Sequence, residues 1–466
     1  MASMSNLLAT GICPETPIEG RHLAELAGLM ASYWDDSELR DLDLSMALNI
    51  PPNRISHFKH AKSSVKKPVK AGAEERVVAA NHHIPMVHPP QAILIRLLMR
   101  YPEYANLTPR PSNSEVWELV APFLPGSGPI RAREIPEGAD GIQKKGFGPV
   151  FGRAAISSYK MLPTDPSITG ETSLAVVRLQ MLIMSRFADI FRDCYRRYCA
   201  EHMFSVDRKD PLYEPSARDW TILRERDSLT GWMTDKLLAR FWTEVQGYWR
   251  SWFESHYLPV LRSEAISRNK DSDDVLVKGN WTNSKPVTDA EFLHAATDAQ
   301  PITGSLNDRF SLFLKENNKL TSAEMFWVLG MQVKTFYRYR SRENIRIDAP
   351  TSILIRYLAQ HPNDLDYFVE MPPSGKWLLS KVQAIDPTFK LFHLSPLFGS
   401  TKMSSYKFAA ETDSCPHFAR RLACIFAREL PHEPRIYWQI RECVEDEVRA
   451  RGLNVKTFWR QGKWNG

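Results

Sequence analysis

Residues 90–102 read PQAILIRLLMRYP and residues 350–362 read PTSILIRYLAQHP, and this repeated stretch decides how the chain is organised. The two segments align at a shift of 350 − 90 = 260 residues and are identical at seven of thirteen positions. Chance gives roughly one identity in so short a window, so we infer an internal duplication. Each copy starts with proline and spaces apolar residues by three and four, which predicts a helix. We expect ILIR, at 93–96 and 353–356, to lie in the core with the arginine stem along its rim.

Two further matches extend the duplication. PVFGRAAISSYK (149–160) and PLFGSTKMSSYK (396–407) share seven of twelve positions at a shift of 396 − 149 = 247. Upstream, 48–58 aligns with 329–339 at a shift of 281, and 281 − 260 = 21 extra residues fit a polar, basic loop within 61–88. Each half therefore has one order: a first unit, the Pro-started helix, a segment with Trp117 or Trp377, and an FG…SSYK unit.

These matches predict an all-α, internally duplicated chain whose two halves are joined by a Trp-rich helical segment. The predicted divisions are an N-terminal segment (1–36), a first repeat half (37–198), a central Trp-rich helical segment with a polar linker (199–290), a second repeat half (291–433), and a C-terminal helix with a basic tail (434–466). The tail repeats VKTF, at 333–336 and 455–458.

The central segment carries an apolar stripe with helix-packing spacing. Leu238, Trp242, Val245, Trp249 and Trp252 follow a 4-3-4-3 pattern, the period of a seam between two helices. The stripe has two interpretations: it packs on its own chain, or it forms a homodimer through the Trp-rich helix.

Composition favours a soluble, cytoplasmic protein with a polyanionic partner. No stretch approaches the length of a membrane span, and the N-terminus lacks the pattern of a signal peptide. Six cysteines without a CxxC spacing indicate buried, reduced thiols rather than a disulfide or zinc framework. The net charge is +6, and basic runs at 53–70 and 334–346 fall on corresponding places of the two halves. Paired basic runs favour a surface for nucleic acid.

The first unit of each half is built like a helix-turn-helix. Such a unit needs one small residue in the turn and apolar residues about six and nine positions later that hold the second helix. Gly330 with Phe336 and Tyr339 meets these demands, and Asn49 with Ile55 and Phe58 occupies the same places in the first half. Asparagine tolerates the left-handed conformation of such a turn.

The FG…SSYK units follow a similar plan, with Gly152 and Gly399 in the turns and Met161 and Phe408 as apolar anchors. Ser158 and Ser405 depart from the pattern, since a β-branched apolar residue is more typical there. The outward side chains of all four units are the predicted DNA-binding residues: Asn53, Arg54, Ser56, His57 and Lys59; Lys334, Thr335, Tyr337, Arg338 and Arg340; Arg153, Ser157, Ser158 and Lys160; Lys402, Ser404, Ser405 and Lys407.

The sequence does not indicate a catalytic activity. P-loop, nucleophile-elbow and HExxH motifs are absent from the sequence, so we expect neither catalysis nor a cofactor or metal. The acidic group Asp35, Asp36, Glu38, Asp41 and Asp43 could ligate a metal in a nuclease, but it precedes a predicted helix, where acids favour the N-terminus.

The units resemble the broad helix-turn-helix class of bacterial, phage and plasmid regulators, over about twenty residues each. The resemblance implies a sequence-specific binder of double-stranded DNA, without catalytic activity, that regulates transcription and contacts the transcription machinery. Two alternatives stay open: a protein that binds an origin or partition site of a plasmid or other mobile element, and an α-helical scaffold for protein interactions.

Overall fold

The computed structural model describes helices and turns and no β-strand within the residues it describes, which confirms the all-α prediction for them. Those residues are 16–20, 22–33, 41–52, 54–55, 87–105, 110–123, 146–154, 157–162, 173–205, 229–267, 320–331, 348–410 and 415–464. The α-helices among them are α1 (His22–Tyr33), α2 (Asp41–Leu48), α3 (Pro89–Arg100), α4 (Asn113–Val120), α5 (Phe147–Val150), α6 (Ser157–Met161), α7 (Leu174–Glu201), α8 (Asp235–Trp252), α9 (Leu258–Ser267), α10 (Ser322–Leu329), α11 (Ala349–Gln360), α12 (Gly375–Ile385), α13 (Leu394–Leu397), α14 (Met403–Phe408), α15 (Arg420–Glu429), α16 (Ile436–Ala450) and α17 (Val455–Gln461).

The chain forms two compact units, and each unit draws on both ends of the sequence. Unit 1 comprises Met1–Leu107, Leu320–Trp327 and Glu370–Gly466, and unit 2 comprises Thr108–Lys319 and Val328–Val369. Unit 1 thus combines α3 from the early sequence with α13 and α14 from the late sequence. Unit 2 makes the opposite combination, α11 with α5 and α6. The predicted divisions follow the order of the sequence, whereas the compact units cross it, so contacts rather than sequence order define the units.

The repeated Pro-started segments form the helices α3 and α11. Proline is favourable at the start because it lacks the N–H that a first turn cannot use, and both helices carry it at their first positions. Asp348 adds an N-cap to α11 by accepting a hydrogen bond from the Thr351 backbone N–H. Each helix is followed by a short 3₁₀ turn, Pro102–Ala105 or Pro362–Tyr367. Both repeated segments are therefore helical, as their proline and apolar spacing predicted.

The arginine of each ILIR segment lies in the core and not along its rim, which corrects the prediction. Arg96 and Arg356 are both 0% exposed. In unit 1 the Arg96 Nε lies 2.9 Å from the Glu447 carboxylate of α16, and in unit 2 the Arg356 Nε lies 2.6 Å from that of Glu264 in α9. A buried charge is tolerated only when it is paired, and here the partner comes from a helix distant in the sequence.

The Trp-rich segment packs within unit 2. Trp249 meets the Phe187 ring of α7 edge-on at 5.5 Å, and Phe241 meets Phe191 at 5.2 Å. A π-helical turn, Phe253–Tyr257, links α8 to α9 and keeps the aromatic face turned inward. Because Val245, Trp249 and Trp252 are buried against their own chain, the interpretation as an internal stripe is correct. These three residues are therefore not available to a dimer seam, while Leu238 and Trp242 are half-buried.

Candidate nucleic-acid interface

The four predicted turn residues all adopt the left-handed conformation. The φ angles are 51° for Asn49, 59° for Gly330, 70° for Gly152 and 84° for Gly399. Asn49 also donates its side-chain N–H to the His417 carbonyl at 2.7 Å, which fixes this non-glycine turn. These angles confirm the position of each turn.

Gly152 and Gly399 also permit a close approach of the backbone. A Cβ on Gly399 would lie 2.5 Å from the Pro90 nitrogen of α3 in unit 1. A Cβ on Gly152 would lie 2.9 Å from the Ala349 carbonyl carbon of α11 in unit 2. Each FG turn therefore rests on the first turn of a Pro-started helix, in matching fashion in the two units.

The second helices of the FG units are held down by apolar anchors and by a buried serine. Met161 and Phe408 are buried, as predicted. Ser158 and Ser405 are 0% exposed, and their hydroxyls accept hydrogen bonds from the Gly148 N–H at 2.7 Å and from the Ser395 N–H at 3.0 Å. Those amides lie in the first turns of α5 and α13, where a helix supplies no partner.

The predicted DNA-binding role of Ser158 and Ser405 is therefore wrong, because both hydroxyls are enclosed and serve the preceding helix. This also explains why serine stands where a β-branched apolar residue is typical: the position must be small and must accept a hydrogen bond. Among the anchors of the first pair of units, Ile55 is buried as predicted, and Phe58, Phe336 and Tyr339 lie outside the described residues.

Several predicted contact residues lie on the surface. Arg54, Arg153 and Lys407 are exposed, while Lys402, Ser157 and Ser404 are half-buried. On α14, Met403 is 69% and Tyr406 60% exposed, and they stand beside Lys407. The side chains of nine further candidates and of Lys160 lie outside the described residues: Asn53, Ser56, His57, Lys59, Lys334, Thr335, Tyr337, Arg338 and Arg340.

The buried cations and the surface cations differ in their partners. The buried arginines pair with acids, as Arg420 does with Glu324 at 2.5 Å in unit 1. By contrast, Arg54, Arg153, Lys402 and Lys407 have no acidic oxygen within 4.0 Å in the described part of the chain. Cations left without an internal partner are available to an external anion.

No group of three or more His, Cys, Asp or Glu residues in the described ranges is placed to hold a metal ion. The described cysteines are buried free thiols, and burial raises the pKa of Cys424 and of Cys443 to about 12, so both stay protonated and unreactive. Asp41 and Asp43 lie in the first turn of α2, as expected of acids at a helix N-terminus, and Asp35, Asp36 and Glu38 lie outside the described residues.

No helix within the described ranges has both the length and the apolar character needed to cross a bilayer. Protein-family models, curated proteins and solved structures were all compared with this chain, and none of them matches it.

Proposed function

We propose that this protein is a sequence-specific binder of double-stranded DNA that regulates transcription through paired helix-turn-helix units in an internally duplicated chain. The observation that carries the proposal is the set of four left-handed turns at the four predicted places. Two of them precede short helices, α6 and α14, whose inner faces are anchored by Met161 or Phe408. A short helix set on a tight turn is the element that such proteins insert in the major groove.

The duplication is supported by contacts as well as by sequence. Gly152 rests on α11 as Gly399 rests on α3, and each ILIR arginine pairs with a buried glutamate. The same two contacts therefore recur in unit 1 and in unit 2. In each unit they join a segment from the early part of the sequence to one from the late part. We expect the two halves of a duplicated protein to bind two related half-sites of DNA. The half-sites differ here because Arg153 in the first FG…SSYK unit is matched by Ser400 in the second.

The chemistry of the outward residues fits a phosphate backbone. Arg54, Arg153, Lys402 and Lys407 are cations without an acidic partner in the described residues, and Tyr406 and Ser404 add hydroxyl groups. Phosphate contacts of this kind set the register of a protein on the duplex, and base contacts then specify the sequence.

Selection from a random duplex library tests the proposal. We expect one enriched sequence with two imperfect half-sites, and an affinity that falls steeply with salt. Removing the side chains of Arg54 and Lys407 by alanine substitution is expected to lower the salt slope by about 0.9 for each lost phosphate contact. A library without enrichment, together with binding that ignores salt, would refute DNA binding.

The related role at an origin or partition site of a mobile element uses the same DNA contacts, and genome-wide occupancy separates it from regulation. The scaffold alternative is an α-helical protein that binds partners through its Trp-rich centre, and it is disfavoured because Trp249 and Trp252 are buried.

A further inference from the structure

The C-terminal segment contains a fifth turn-and-helix of the same design. GLNVKTFWR (452–460) matches GMQVKTFYR (330–338) at a shift of 452 − 330 = 122, with six of nine positions identical. Gly452 takes the place of Gly330 and also has a positive φ, 71°. Unlike the 332–340 segment, this copy is described throughout.

The local structure of this copy follows the helix-turn-helix plan at the turn and at the first anchor, whereas the position of the second anchor is held by Gln461, which is exposed. The α16 helix ends at Ala450, the chain turns at Gly452, and α17 begins with Asn454 as N-cap, whose side chain accepts a hydrogen bond from the Thr457 N–H at 3.0 Å. Phe458, six residues after the turn, is 2% exposed and anchors the helix. Lys456 and Arg460 are four residues apart, so they share one face, and both are exposed.

The segment is fixed to the turn that precedes α14 by contacts within unit 1. The Lys402 N–H donates to the Gly462 carbonyl at 3.0 Å, and the Trp464 indole N–H donates to the Ser400 carbonyl at 3.1 Å. Gly462 has a φ of 61°, and a Cβ there would lie 2.7 Å from the Lys402 Cβ. These contacts place Lys463 next to the turn that leads into α14.

The resulting surface is basic without internal compensation. Residues 399–408 and 452–464 contain no Asp or Glu. The acids of the neighbouring α16 are engaged by arginines: Glu442 by Arg100, Glu445 by Arg441, Asp446 by Arg100 and Arg449, and Glu447 by Arg96 and Arg451. In the described residues none of these five side chains has an ion pair: Lys402, Lys407, Lys456, Arg460 and Lys463.

We propose that α14 and α17 form one phosphate-binding surface, with Lys402, Lys407, Lys456, Arg460 and Lys463 holding the backbone of the DNA duplex. The inference rests on the proposed function and adds to it a second helix that positions α14 on the duplex. A contact between a lysine point charge and a phosphate group carries no base code. The surface therefore contributes equally to cognate and unrelated duplexes.

The test uses the full chain carrying Lys456→Ala, Arg460→Ala and Lys463→Ala together. Its matched control carries Lys236→Ala, Lys381→Ala and Arg435→Ala, which removes the same charge from exposed sites at other helices. Affinity for the selected duplex and for a scrambled duplex is measured across a salt series. We expect the first variant to lose affinity for both duplexes by the same factor and its log–log salt slope to fall by about 2–3, since each phosphate contact contributes about 0.9. The control is expected to keep the wild-type slope.

An unchanged slope in the first variant, with wild-type DNA binding intact, would overturn this inference and leave the proposed function standing. Loss confined to the selected duplex would also overturn it, because that pattern means base recognition. Wild-type protein that binds neither duplex refutes the proposed function itself, and the inference with it.

A second variant separates positioning from charge. Gly462→Ala alters no charge but forces α17 away from Lys402, so we expect it to weaken binding to both duplexes at unchanged helical content by circular dichroism. Gly247→Ala, at an exposed helical glycine with open space around it, is the control and is expected to bind as wild type. Wild-type affinity in Gly462→Ala would show that the docking of α17 on α14 has no part in binding.

Discussion

The segment 147–161 of unit 2 and the segment 394–408 of unit 1 have one internal design in different surroundings. Both use a left-handed glycine, a buried serine and an apolar anchor, and both rest on the N-terminal turn of a Pro-started helix. In the part of the chain that the structure describes, 394–408 is joined by an extra helix, α17, through Gly462 and Trp464, and 147–161 is not joined by a corresponding helix. The comparison teaches that the conformation of the turn is determined by nearby residues in the chain, whereas the charged surface around it is determined by the segments that pack beside it.

The largest effect is expected from the buried ion pairs of α3 and α11, the helices on which the two segments rest. Arg356→Met leaves the buried Glu264 without its arginine, so we expect a loss of about 3–5 kcal/mol in the free energy of unfolding. Arg96→Met leaves Glu447 paired with Arg451, so we expect a smaller loss. Urea denaturation measures both losses. The double variant Arg356→Met/Glu264→Met is expected to recover much of the loss, because it removes both charges. A cost under about 1 kcal/mol for Arg356→Met would mean that its pair is solvated.

The next effect concerns the two glycine turns. Gly399→Ala and Gly152→Ala combine a strained φ, about 1–2 kcal/mol, with overpacking against backbone atoms, about 1–3 kcal/mol. Thermal or urea unfolding measures the sum for each segment. Gly247→Ala, with nothing near it in a helix, is the control and is expected to stabilise by roughly 0.5–1 kcal/mol. Equal behaviour of all three variants would contradict the left-handed, closely packed turns.

A smaller effect is expected from the two buried serines. Ser158→Ala and Ser405→Ala each leave a buried amide N–H without its acceptor, which costs about 1–3 kcal/mol of unfolding free energy. Ser380→Ala, at an exposed serine that bonds its own helix, is expected to change stability by less than about 0.5 kcal/mol. If the alanine variants at 158 and 405 kept full stability but lost DNA affinity, the hydroxyls would face the ligand after all.

The smallest effect separates the segments by pH. Burial lowers the pKa of His393, whose ring lies 5.7 Å from that of Trp459 in α17. A lowered folded-state pKa means that stability is complete above the unfolded value, about 6.5, and is lost as pH falls through the folded value. At a shift of 247 the residue matching His393 is Gly146, which does not titrate.

The hydrogen-exchange protection factor, which corrects for the slower intrinsic exchange at low pH, should therefore fall below pH 6 by more at 394–408 than at 147–161. In a His393→Gln variant this difference is expected to disappear. A difference that persists in the variant would assign the pH response to another group.

Local features were predictable from the sequence because they depend on neighbours in the chain. The starts of α3 and α11 follow from proline and apolar spacing, and the left-handed turns follow from Gly152, Gly399, Gly330 and Asn49. The anchors Ile55, Met161 and Phe408 follow from the distance between a turn and its second helix. Each of these demands is met within about ten residues.

The misjudged residues are polar side chains whose partners are distant in the sequence. Arg96 looks like an exposed cation, yet Glu447 accompanies it into the core from 351 residues away. Ser158 and Ser405 look like phosphate ligands in an SSYK motif, and their neighbours Ser157 and Ser404 are only half-buried. Sequence alone does not distinguish the two serines, because burial depends on which face the helix turns inward.

The sequence by itself determined that the chain is helical, where it turns, and that its parts recur in order, since helix periodicity and glycine conformation are local properties. Only the tertiary structure decided that α3 joins α13 and α14 while α11 joins α5 and α6, and that the Trp stripe is covered by its own chain. Only it decided which arginines are buried with acids and which cations stay on the surface. The physical reason is that pairing a buried charge or covering an apolar face depends on partners from any point of the chain, and these partners meet only in the folded protein.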